Sequence, residues 1–146
     1  MIHDAIKFSG RLAICLYGPD GEIKASRDIP NLVVTGGKTF IAARMVAATA
    51  AVMSHMAIGS GTVAAALADT ALGTSVVRVA LASGTSAGAV ATYVASYPAG
   101  VGTGAITEAG IFNDPAVGTM LCRTVFAVIN KGAADTMSIT WTVTAT

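Results

Sequence analysis

From Thr136 to Thr144 the chain alternates without interruption. Met137, Ile139, Trp141 and Val143 hold one parity, while Thr136, Ser138, Thr140, Thr142 and Thr144 hold the other. Successive side chains of a β-strand point to opposite faces, so this pattern predicts a strand with one buried face and one hydroxyl-covered face. Leu121 to Ile129, just upstream, is apolar on nearly both parities, as in a strand covered on both sides. Together with the run that begins at Thr107 these segments read as an apolar hairpin-like unit, with Asn130-Lys131-Gly132 as its last turn.

Taken in order, the remaining pattern is also one of short strands. Arg11 to Tyr17 alternates, Gly18-Pro19-Asp20-Gly21 reverses the chain, and Glu22 to Arg27 returns with Ile23 and Ala25 inward. Asp28-Ile29-Pro30-Asn31 breaks the pattern, and Leu32-Val33-Val34 is a short buried strand of its own. Thr35-Gly36-Gly37 offers an N-cap hydroxyl before Lys38 to Ala48, where Phe40, Ile41, Met45 and Ala48 recur at helical spacing. Met56-Ala57-Ile58, Arg78 to Ala82, Val90 to Tyr97 and Ala105 to Phe112 are further strands. Ser83 to Gly88 serves as a connection, and Val63 to Leu72 is either a short helix or an irregular link. Turn signals about every ten residues describe an all-β layer structure. The predicted fold is mainly β: an antiparallel β-sandwich or barrel-like domain with one amphipathic helix near residues 38–48. One domain spans 1–146, with an N-terminal hairpin region over 1–30 and a core over 31–146.

Composition changes this picture in one respect. Charged residues make up 12% of the chain and apolar ones 53%, where a usual domain carries about 25% charged. So sparse a charged skin predicts that other subunits cover part of the surface. Nine basic residues against eight acidic ones leave a formal charge of +1, which is no footprint for nucleic acid phosphates. Met45 to Ala68 is free of charge and long enough for a bilayer. Its Gly59-Ser60-Gly61 turn and its alanines argue against a span, so no membrane partner is expected. His3, Asp4 and Lys7 interrupt any apolar signal core at the start, and Cys15 and Cys122 read as buried free thiols, so folding in a reducing cytoplasm is expected.

Candidate chemistry is scarce. His3 and His55 stand alone, and neither paired cysteines nor His-x-x-x-His occurs, so no metal, no cofactor and no catalytic residues are expected. Thr35-Gly36-Gly37-Lys38, Gly59-Ser60-Gly61 and Gly100 to Gly104 are better explained as turns than as phosphate loops. Glu108 and Arg123 are the polar residues that need an explanation, because both lie in apolar strands and an unpartnered buried charge costs several kcal/mol. A structural ion pair between them is favoured over a ligand site. Thr136, Ser138, Thr140, Thr142 and Thr144, with the Ala-rich Val63 to Leu72, are the candidate subunit contacts.

The motifs also form an ordered series: Asn31 to Thr35 with Gly37-Lys38, Met56 to Thr62, Asp69 to Leu72 with Arg78, Thr107 to Asn113, Gly118 to Phe126, and Lys131 to Trp141. From about Asn31 onward this series resembles a family of small virion proteins of tailed bacteriophages, and its second half resembles the N-terminal domain of tail-collar and tail-fibre proteins. The resemblance implies a β-rich, non-enzymatic structural module that oligomerises on the virion. Capsid decoration (a cement role) is the first expectation, and a tail-fibre, collar or tail adaptor protein is the alternative. A receptor- or glycan-binding module would want exposed aromatics that this chain lacks. The expected partners are the chain itself, as a homotrimer or other symmetric oligomer, and major capsid or tail proteins.

Overall fold

The structure, a computed structural model, describes residues 4–47 and 50–146. His3 and the last residue of the expected helix, Ala48, lie outside the described residues. The elements follow in the order β1 (Phe8–Tyr17), β2 (Ile23–Val33), α1 (Thr35–Val46), β3 (His55–Gly59), β4 (Ser75–Ala80), β5 (Ser83–Ala87), β6 (Val90–Tyr97), β7 (Gly104–Phe112), β8 (Met120–Lys131) and β9 (Thr136–Ala145). All strand pairs are antiparallel, and they join into one nine-stranded sheet of order β4-β3-β7-β8-β2-β1-β9-β6-β5. The expected mainly-β antiparallel layer structure with one helix is therefore what the chain forms.

The sheet curls so that its two halves face each other. β2 is the corner: Gly10 to Tyr17 of β1 pair with it up to Asn31, and then Leu32 and Val33 pair with β8. β4 and β5 sit at opposite ends of the strand order, yet only Leu81 and Ala82 separate them in the chain. The main core lies between the halves. Leu12, Ile14, Leu16, Met137, Ile139 and Trp141 from one half meet Met56, Ile58, Ile106, Ile111, Phe126 and Ile129 from the other. Tyr97 on β6 donates its hydroxyl to the Met56 carbonyl on β3 at 2.9 Å, tying the two halves together. A smaller apolar cluster of Val34, Ala57, Phe112 and Met120, with Leu72 against it, is separate from the main core.

Several expectations need correction. Asp28 to Asn31 does not break the chain; it runs inside β2, and Leu32-Val33 is the end of that strand. Proline lacks an N–H, and Pro30 falls where the strand leaves one neighbour for the other, a place where a ladder bond is dispensable. Ile23 is not inward but 64% exposed. A bulge lets Leu16 face Ala25 and Tyr17 face Ile23, which turns Ile23 to the other face of the sheet. Thr35 is not the N-cap: the helix begins with it, Val34 caps in extended conformation without a side-chain bond, and the Thr39 hydroxyl donates back to the Thr35 carbonyl.

Met45, expected on the buried helix face, is 74% exposed, whereas Phe40 and Ile41 pack against the core. Gly37 is the buried residue of α1, because the helix backbone lies against β8 there; a Cβ would overlap the Leu121 carbonyl. Ser83 to Ala87, expected as a connection, forms β5 at the sheet edge. Of the two alternatives for Val63 to Leu72, the irregular link is the one formed, with no helix. β8 is covered on both faces from Met120 to Thr124 only, and Ala127 and Val128 are exposed. It does not form a hairpin with β9 either, which pairs with β1 and β6 in the opposite half. The described residues of Met45 to Ala68 are divided among the end of α1, β3 and loops, and among the described residues no helix is long and apolar enough to cross a membrane.

Candidate functional site

Strands β7 and β8 place Glu108 opposite Val125 and Arg123 opposite Gly110, so the two charged residues are diagonal neighbours on one sheet face. Both are buried, and Arg123 donates from Nε (3.0 Å) and Nη2 (2.8 Å) to Glu108 Oε2. The expected ion pair is thus in place. Its surroundings explain why it is there. Glu108 also accepts backbone N–H bonds from Gly61 (2.8 Å), Gly73 (2.9 Å) and Thr74 (2.7 Å), while Arg123 Nη2 donates to the Val63 carbonyl at 3.0 Å. All four partners lie in the connection between β3 and β4. The pair is a clamp that fixes this long, irregular and largely exposed loop onto the sheet, giving its inward-facing N–H and C=O groups partners that no ladder supplies.

A third charged member was not legible in the sequence. Asp69 Oδ2 accepts from Arg123 Nη1 at 2.7 Å and from the Ala66 N–H at 2.8 Å. It sits within an irregular run with no periodicity to place it. Burial pushes the Glu108 carboxyl up, but the N–H groups of Thr74, Gly73 and Gly61 and the Arg123 guanidinium outweigh it and hold the group below its ordinary range. Asp69 is held low by the Ala66 N–H first and by Arg123 second. Glycine is required at the contact, because a Cβ on Gly61 would overlap Glu108 Oε1. The Arg123 guanidinium thus donates to two carboxylates, Glu108 and Asp69, and to a loop carbonyl.

A second buried charge was read as a turn residue. Lys131 is enclosed, donating to the carbonyls of Asp135 (2.7 Å) and Pro98 (3.0 Å). The Asp135 carboxylate accepts from Lys24 Nζ at 2.8 Å and from the Gly132 N–H at 2.7 Å. Desolvation lowers the Lys131 ammonium against the opposing pull of Asp135, and Asp135 is held low chiefly by Lys24. This second clamp fastens the turn between β8 and β9 to β2 and to the loop after β6. His55 has Ser54 Oγ 2.8 Å from Nδ1. Among the described residues no group of three His, Cys, Asp or Glu side chains lies together.

The hydroxyl parity of β9 is where the pattern placed it: Thr136 and Thr140 are exposed and Ser138, Thr142 and Thr144 half-buried, with Met137, Ile139, Trp141 and Val143 buried beneath. The register continues this face across its neighbours in rows. Thr140 lies beside Val94 and Ser83, Thr142 beside Thr92 and Thr85, and Thr144 beside Val90 and Ala87. None of these positions on β9, β6 and β5 carries a charge, and the nearest ion pair, Arg11 with Asp28, belongs to β1 and β2. At one end of the core an apolar cavity of about 240 Å³ opens between Phe8, Phe40, Ile41, Tyr93, Leu121 and Val143. Compared with known proteins, the chain matches no family model, no curated protein and no solved structure.

Proposed function

We propose that this chain is a non-enzymatic structural protein of a tailed-phage virion, assembling as a symmetric oligomer on the particle exterior, with capsid decoration as its role. The observation that carries the reading is the uncharged face of β9, β6 and β5. Hydroxyl and valine side chains in register make a continuous surface that can be dehydrated against a protein partner without stripping water from any charge on these three strands. The two charge clamps fit the same purpose, since one holds the long β3–β4 connection and the other the β8–β9 turn against the sheet. A rigid unit loses little conformational entropy on docking. The ordered motifs from Asn31 onward add the resemblance to small virion proteins. A reconstruction of the particle that locates the chain and counts its copies tests the assignment: hundreds on the shell support decoration, a few dozen or fewer at the tail assign it there, and absence from the particle overturns it.

A further inference from the structure

The two ends of the sheet are not equally protected. Natural edge strands are blunted by charge, proline, bulges or a covering loop, because their free N–H and C=O groups otherwise recruit another strand. β4 is half-covered along Val77, Arg78 and Val79. β5 has none of these devices. All five residues, Ser83, Gly84, Thr85, Ser86 and Ala87, are exposed, none is charged or proline, and the pairing with β6 runs without a register shift. The other flank of β5 has no strand beside it.

From this we infer that β5 is a strand-pairing site whose occupant is β5 of a second copy of the chain, antiparallel across a two-fold axis at Thr85. The strand is self-complementary in that arrangement. Thr85 meets Thr85, Gly84 meets Ser86 and Ser83 meets Ala87, so small uncharged side chains meet throughout and no like charges oppose each other. A net charge of +1 per chain adds little repulsion. Pairing also joins two uncharged faces into one that is six strands wide, β9-β6-β5 followed by β5-β6-β9 of the second copy. Five residues per strand bury less than the roughly 1,000 Å² of a stable interface, so the contact alone is reversible in solution. The inference does not rest on the virion reading, since it concerns purified protein.

Crosslinking tests it. Directly opposite residues of an antiparallel pair have Cα atoms about 4.5–5.5 Å apart, within the span of a disulfide. In a Cys15→Ser background, oxidised Thr85→Cys is expected to give a disulfide-linked dimer in several-fold greater yield than Asp20→Cys at the distant β1–β2 turn. A mixture of Ser83→Cys and Ala87→Cys proteins is expected to crosslink to each other several-fold more than either does to itself, which fixes the register. Thr85→Lys, exposed and therefore foldable, is expected to weaken the association seen by sedimentation several-fold. Equal yields at positions 85 and 20, or association unaffected by lysine, overturn the proposal.

Discussion

Glu108 shows how a single residue is decided by magnitudes. Its carboxylate is fully enclosed and accepts from three backbone N–H groups and one guanidinium. Replacing it with alanine leaves Arg123 with only the partly exposed Asp69 as a counter-charge and removes the acceptor of three backbone donors, one of them, Gly61 N–H, buried. Glu108→Ala is expected to destabilise by about 3–5 kcal/mol, read from urea unfolding; a midpoint equal to the wild type would show that the clamp contributes nothing. The carboxyls of Glu108 and Asp69 are both lowered on folding, so their contribution is fully present above the unfolded values, 4.5 and 3.8. It is lost as pH falls through the lower folded values. Stability of the wild type is therefore expected to drop steeply below about pH 4, and the Glu108→Ala profile is expected to be flatter in that window. That Glu108 and Arg123 need each other was legible, because two charges in apolar strands require partners. Asp69 was not, since a carboxylate in an aperiodic loop gives no parity to read. Lys131 was hidden by its neighbours, for Asn-Lys-Gly looks like a solvated turn whether or not the ammonium is folded inward.

At the scale of elements, hydrophobic alternation located the strands that have one buried face and failed where burial is not what makes the strand. β9 was legible residue by residue because its buried parity is all large and apolar. β5 was not, since Ser-Gly-Thr-Ser-Ala has the composition of a turn and becomes a strand only through its pairing with β6. β2 was divided at Pro30 because the change of neighbours that makes proline acceptable there is a tertiary fact. The helix was found, but its docking was misjudged for a similar reason: it approaches β8 through the bare backbone at Gly37, with Phe40 and Ile41 beside it, while Met45 of the expected stripe stays exposed. Helix propensity favours alanine over glycine by about 1 kcal/mol, so a free helix would gain from Gly37→Ala. Here the new Cβ meets the Leu121 carbonyl, a backbone atom in the middle of the sheet, and overpacking costs about 1–3 kcal/mol. The clash wins. Gly37→Ala is expected to lower stability and to speed amide exchange across α1 while leaving β7 and β8 protected; a stabilised variant would show the helix to be undocked.

Over the whole molecule the decisive quantity is how little charge is left outside. The chain exposes 7483 Å², and four of its few charged side chains, Glu108, Arg123, Lys131 and Asp135, are withdrawn into the two clamps. Charge has been moved from the skin to the joints, which rigidifies loops and leaves β9, β6 and β5 with a face that water wets only through hydroxyls. Covering about 1,000 Å² of such a surface yields, at about 25 cal/mol per Å² of its apolar part, a gain large enough to offset association costs only when many copies or several contacts act together. A lysine placed on this face separates folding from assembly. Thr140 is exposed at the centre of its row, between Val94 and Ala13, so Thr140→Lys is expected to change unfolding stability by no more than about 0.5 kcal/mol. The same lysine must be desolvated if the face is buried in an assembly, so under the virion role proposed above its incorporation into particles is expected to fall at least tenfold relative to wild type when both are expressed together. Equal incorporation of the folded variant would remove this face from the interface and leave the strand edge at β5 as the remaining route to assembly.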